Sequence, residues 1–172
     1  MKTISAMLSL ESISKAIKDL EQYNAWVTQK TEILLKKLAE IGLQEAQVRF
    51  NNAVYAGERD VQVSVSAIDN GFSVTAQGEA VCFIEFGAGV YYNPTEPYPI
   101  SRPDGIVGIG EYGNGNGKRK GWVYDGEAGN GGKVLENGKV FTRGNIAAMP
   151  MWNARKKMLE SVSKIAKEVF EA

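Results

Sequence analysis

The sequence predicts an α+β domain. A long N-terminal helix and a C-terminal helix pack on an antiparallel β-sheet meander, and a long Gly-rich loop or β-arm precedes the last helix. Three observations carry this. Apolar residues recur at alternating four- and three-residue steps through the first third. Valines then alternate with polar residues and meet an Asn-Gly turn signal. After Pro150 the apolar residues return to helical spacing. The 172 residues suit one domain. It divides into a helical part (1–57), the meander (58–87), an extended Gly/Pro-rich loop with a hairpin (88–145) and the C-terminal helix (146–172).

In the first helix Ile13, Ile17, Leu20, Asn24, Val27, Thr31, Leu34, Leu38 and Ile41 form one stripe. Ser9 or Ser12 is the expected N-cap. Gly42 is the expected break before a shorter helix over Leu43–Val54. The stripe reads either as a coiled-coil seam or as a helix lying on its own sheet. Asn24 and Thr31 interrupt it, which favours the second reading. Tyr23 and Trp26 sit off the stripe and suggest a second contact surface.

In the meander Val61, Val63 and Val65 alternate with Gln62, Ser64 and Ser66, as in a half-buried strand. Asn70-Gly71 is a type I′ turn signal, because that turn needs positive φ at both central residues. Phe72, Val74 and Ala76 return as a second strand, and Gln77-Gly78 turns again. Ala80–Phe86 reads as a third strand, apolar on both faces and therefore central or covered.

From Gly87 to Gly144 the composition changes. Eleven of the 19 glycines lie between Gly105 and Gly132. Trp122-Val123-Tyr124 reads as a short strand, and Asn137-Gly138 as a hairpin turn between Val134-Leu135 and Val140-Phe141. So long a loop is functional or disordered in most compact domains. The last helix carries a stripe of Met151, Ala154, Met158, Val162, Ile165 and Val169, read as core.

Composition narrows function. Twenty basic and 20 acidic residues give zero formal charge, which argues against a dedicated or sequence-specific nucleic-acid binder. The absence of histidine removes the commonest general base and metal ligand. Cys82 is the only cysteine, so no internal disulfide or Cys-based zinc site is expected, and its apolar surroundings suggest packing. No run approaches a membrane span, and the N-terminus does not read as a signal peptide. Without histidine or a second cysteine no common metal site is expected.

The motifs are weak. Gly108-Ile-Gly-Glu-Tyr-Gly113 spells a dinucleotide fingerprint, but the following Asn-Gly-Asn-Gly-Lys cannot hold the helix that would receive the pyrophosphate. Lys118-Arg119-Lys120 reads as a solubilising loop tip. Glu85 is the carboxylate of interest. If buried it needs a partner, with Arg49, Arg59 or Arg143 as candidates. The rival reading is a carboxylate-based hydrolase that pairs Glu85 with Asp104 or Asp125.

Phe83-Ile-Glu-Phe-Gly-Ala-Gly89 resembles the signature of a family of tailed-phage proteins, the HK97 gp10-like neck and tail-completion proteins. Ala88 stands where threonine is common in that family. The resemblance extends in order through the long helix, Ala53-Val-Tyr-Ala-Gly57, the meander, Trp122 in a Gly-rich loop, Thr142-Arg-Gly144 and Pro150-Met-Trp-Asn-Ala154. It implies a structural virion protein with neither catalytic activity nor a cofactor: a homo-oligomer, expected to be a hexameric ring, at the head-proximal end of the tail. It would be made in the host bacterial cytoplasm and would contact head-completion and tail-terminator or tube proteins. The alternative is a head-side connector or adaptor. The signature and interface candidates are Phe83, Glu85, Phe86, Gly87, Gly89, Tyr91, Tyr92, Trp122, Tyr124, Thr142, Gly144, Pro150, Met151 and Ala154. On this reading the glycine-rich arm gains its order from adjoining copies, with its aromatics as anchors.

Overall fold

A computed structural model describes residues 7, 9–87, 121–142, 144–145 and 147–171. Gly89, Tyr91, Tyr92, Asp104, the Gly108–Gly113 motif, the Lys118–Lys120 cluster and Arg143 lie outside the described residues. The architecture is mixed α+β: a long N-terminal helix, a C-terminal helix and two small antiparallel sheets.

Helix α1 runs unbroken over Leu10–Asn52, about 65 Å at 1.5 Å per residue. Ser9 caps it, its hydroxyl accepting from the Ser12 amide at 3.3 Å, while the Ser12 hydroxyl accepts from the Met7 amide at 2.8 Å. The expected break at Gly42 is corrected. Gly42 is buried where α1 meets the C-terminal helix, and a Cβ there would sit 2.6 Å from Met158 Sδ. A helical glycine costs only about 1 kcal/mol against alanine, and close helix packing offsets it. Past Asn52 the Arg59 guanidinium donates to the carbonyls of Asn51 and Ala53, satisfying orphan acceptors at the helix end.

Strands β1 (Gln62–Ile68) and β2 (Gly71–Gln77) form a hairpin in full register from Gln62↔Gln77 to Ile68↔Gly71. The turn residues are Asp69 and Asn70, both with negative φ. The turn therefore lies one residue before the Asn-Gly signal and is not type I′.

The expected third strand is also corrected: Ala80–Phe86 is helix α2. A seven-residue apolar run does not distinguish strand from helix. The decision comes from Asp60, whose carboxylate accepts from the amides of Glu79 at 2.6 Å and Ala80 at 3.0 Å and so starts a helical turn. Gly78 passes so close that a Cβ would lie 2.7 Å from the Asp60 carbonyl oxygen. The meander is therefore a two-stranded hairpin followed by a helix.

The second sheet holds β3 (Trp122–Tyr124), β4 (Lys133–Val134) and β5 (Val140–Thr142) in the order β3-β5-β4. Asn137-Gly138 closes β4 onto β5, with Gly138 at φ 78° and its amide donating to the Leu135 carbonyl at 2.9 Å. Helix α3 covers Pro150–Glu171 and runs antiparallel along α1, with Met158 at Gly42 and the Phe170 ring edge-on to Trp26. The core gathers Ala46, Phe50 and Ala53 of the α1 end, Ala80 and Ile84 of α2, and Ala154 of α3. Val61, Val63 and Ala76 at the hairpin base pack against it.

Candidate functional site

Phe83, Glu85, Pro150 and Met151 of the signature meet where α2 joins the start of α3. Glu85 is 4% exposed. Its Oε2 accepts from the Met151 amide at 2.8 Å and its Oε1 from the Trp152 amide at 3.0 Å. With Pro150 as the first helical residue, these are two of the orphan amides of α3. The carboxylate thus caps α3 from another element, with its charge on the favourable end of the helix dipole. The local cap position cannot do this. It is Met149, which has no side-chain acceptor and is held at φ 52°, a conformation that costs an L-residue roughly 1–2 kcal/mol.

Of the three expected guanidinium partners, Arg143 lies outside the described residues and the other two bond elsewhere. Arg49 pairs with Glu45 at 2.5 Å, one turn away on α1, and Arg59 serves the α1 carbonyls. Asp125, proposed as a second catalytic acid, is exposed and pairs with Lys139 at 2.9 Å.

Around Glu85 the other signature residues also hold elements together. Gly87 ends α2 at φ 75°, in the region that favours glycine. The Asn145 side chain donates to the Phe83 carbonyl at 2.7 Å and the Ala148 amide to the Ile84 carbonyl at 2.9 Å, so the chain leading to α3 satisfies the end of α2. Thr142 is buried, and its hydroxyl accepts from the Gly144 amide at 3.0 Å, fixing a turn with Gly144 at φ 90°. Phe83 stacks on Tyr55, with ring centroids 6.4 Å apart. Phe86 and Trp122 are half-buried, Pro150 and Ala154 are buried, and Met151 packs on the core.

The glycine-rich segment makes a second junction. Asn130 accepts from the Tyr55 amide at 2.8 Å and donates to the Ala53 carbonyl at 3.2 Å. Gly129 and Gly131 amides donate to the carbonyls of Ala56 and Tyr55, and the Tyr124 hydroxyl donates to the Ala56 carbonyl at 2.6 Å. Burial raises the pKa of the Tyr124 phenol, and that of Tyr55 likewise, with the nearby Tyr124, Asp60 and Glu79 adding to the latter. Over 121–142, then, the expectation of a segment ordered only by neighbouring copies is corrected. It folds on its own chain through these main-chain bonds and the buried Val140 of β5.

Sequence reasoning passed over Asp60, Asn130, Asn145 and Met149. Asn130 stood within Gly129-Asn-Gly-Gly132, a signal of close backbone approach. Asp60 and Asn145 act through contacts distant in sequence and left no local mark.

What remains open is apolar surface. The described elements reach along α1 as far as Trp26, which meets α3, and Val27, which with Leu35, Ile68 and Phe72 lines a groove of about 440 Å³ at the hairpin tip. Beyond that point Leu10, Ile13, Ile17 and Leu20 lie bare, Leu10 at 87% and Ile17 at 51% exposure. On α3, Leu159 and Val162 are also exposed. Among the described residues no helix is long and apolar enough to cross a membrane, and no group of three Cys, Asp or Glu side chains is placed to hold a metal ion. Comparison with protein-family models, curated proteins and solved structures finds no match to this chain.

Proposed function

We propose that this protein is a structural phage virion subunit that assembles into a ring at the head-proximal end of the tail and helps join tail to head. The observation that carries the reading is the division of labour along α1. One face of its C-terminal half (Ala39, Gly42, Ala46 and Phe50) is buried in the subunit core, while its N-terminal third continues the apolar stripe past the described elements, exposed. A stripe of Leu10, Ile13, Ile17 and Leu20 facing water is unfavourable for a monomer, at about 25 cal/mol per Å² of apolar surface, and suits a subunit completed by neighbours. The resemblance at Phe83–Gly89 names the kind of assembly.

The use of the signature supports the same reading. Glu85 holds a helix end through two backbone amides, a positioning role that gives α2 and α3 a fixed mutual geometry. The test is electron microscopy of concentrated protein, alone and with head-completion and tail-tube proteins of the same phage. Closed rings of one stoichiometry seated between head and tail are expected. Protein that stays monomeric alone and with those neighbours overturns the reading.

A further inference from the structure

We propose that the bare N-terminal stripe of α1 in one copy docks on the outer face of α3 in the next copy. The proposal rests on the ring-subunit reading and names the contact that would build it. Three observations point to this occupant. First, the two faces have the same form. Ile13, Ile17 and Leu20 follow a four-three spacing, and on α3 Leu159, Val162 and Ala166 follow a three-four spacing over the same seven-residue span. Leu159 is 58% exposed, comparable with Ile17 and Leu20. Two such stripes interdigitate as helices do in a bundle.

Second, the charges complement each other. From Ser9 to Tyr23 the helix carries three acidic and two basic side chains, with Glu21 one turn after Ile17. Helix α3 carries five basic and three acidic ones, and Arg155 and Lys156 stand one turn before Leu159. Glu21 opposite that basic pair fixes orientation and disfavours an α3–α3 pairing.

Third, geometry and size select this mode. The hairpin tip flanks the α1 stripe from Val27 onward, which limits a parallel pairing of two α1 seams to the turns before Val27. The patches are two different surfaces of one chain, so their contact is head-to-tail, the kind that builds a ring when the rotation between copies closes. Three or four side chains a side fall below the roughly 1,200–2,000 Å² of a stable pair. Each contact is therefore weak alone and gains strength when the ring closes.

Sedimentation tests this with wild-type protein, Ile17→Asp and Leu159→Asp, whose circular dichroism and melting curves should match wild type because both sites are exposed. Wild type is expected to self-associate weakly, with a dissociation constant on the order of 100 μM, and each variant alone to lose at least tenfold in affinity. An equimolar mixture of the two variants should form a one-to-one heterodimer that grows no further, since each retains the face the other lacks. Self-association of Leu159→Asp at wild-type strength overturns the proposal in favour of α1–α1 pairing. Indifference to both substitutions, or no wild-type association at millimolar concentration, also overturns it. Rings that still form by electron microscopy from Ile17→Asp protein would sink this contact and leave the ring reading standing.

Discussion

The Glu85 carboxylate lies 2.8 Å from the Met151 amide, 66 residues later in the chain. A helix start that its own sequence leaves uncapped is thereby completed by a helix from the other side of the core. Removing the carboxylate strands two buried amides. Glu85→Ala should cost about 2–3 kcal/mol. Glu85→Gln, which keeps one acceptor and turns an amide group toward an N–H, should cost about 1–2 kcal/mol. Urea unfolding followed by circular dichroism measures both. If Glu85→Ala unfolds at the wild-type midpoint, the capping role is wrong.

Asp60 gives the fold an acid-sensitive joint. The Ala80 amide, and after it the Glu79 amide, hold its carboxyl pKa below the ordinary value. A carboxylate with a depressed folded-state pKa stabilises the native state above its unfolded pKa, about 3.9. That contribution fades as pH falls through the lower folded value. Wild type should thus exceed Asp60→Asn in stability at pH 6, and the gap should narrow below about pH 4. Paired urea titrations across pH 2 to 6 read this, and a gap that stays constant in acid contradicts it.

How much of this was legible in the sequence follows from how local each signal is. The helical stripe of α1, the alternating valines and the turn at Asn137-Gly138 are local patterns, and each matches an observed element. The misread elements were decided from a distance. Ala80–Phe86 is helical because Asp60, 20 residues back, starts it and because Asn145 and Ala148 finish it. Gly42 is not a break because Met158, 116 positions on, fills the space its missing side chain leaves. At the site, Glu85 stood out as a carboxylate in an apolar run. That its partners would include backbone amides of α3 was invisible, since every residue offers an amide and only the fold selects Met151 and Trp152. The docking of Gly129–Gly132 left only its glycines as a trace.

Gly42 provides a direct test of helix contact. In isolation Gly42→Ala should stabilise α1 by up to about 1 kcal/mol. Here the new methyl meets Met158 Sδ, and overpacking costs typically 1–3 kcal/mol. Gly42→Ala should therefore destabilise wild type by about 1 kcal/mol, yet stabilise a Met158→Ala background, where the space is vacant. A double-mutant cycle should give a coupling of 1 kcal/mol or more. Additive effects would mean that the two helices are not in contact there.

The attachment of the small sheet depends on glycine at position 129. A Cβ there would lie 2.3 Å from the carbonyl oxygens of both Gly57 and Tyr55. These are backbone atoms, and the Tyr55 carbonyl already accepts from the Gly131 amide, so they cannot give way as a side chain would. Gly129→Ala should therefore release residues 121–142 from 53–57 without unfolding the α1–α3 pair, which meets at Gly42–Met158 and Trp26–Phe170. Hydrogen exchange should show lost protection at the Gly129, Gly131 and Tyr55 amides, with the α1 and α3 amides near Gly42 and Met158 unchanged. Asn130→Asp, which loses the donor to the Ala53 carbonyl, should produce the same pattern more weakly. If protection falls uniformly across both helices, the junction belongs to the global core and the sheet is not a separately attached unit.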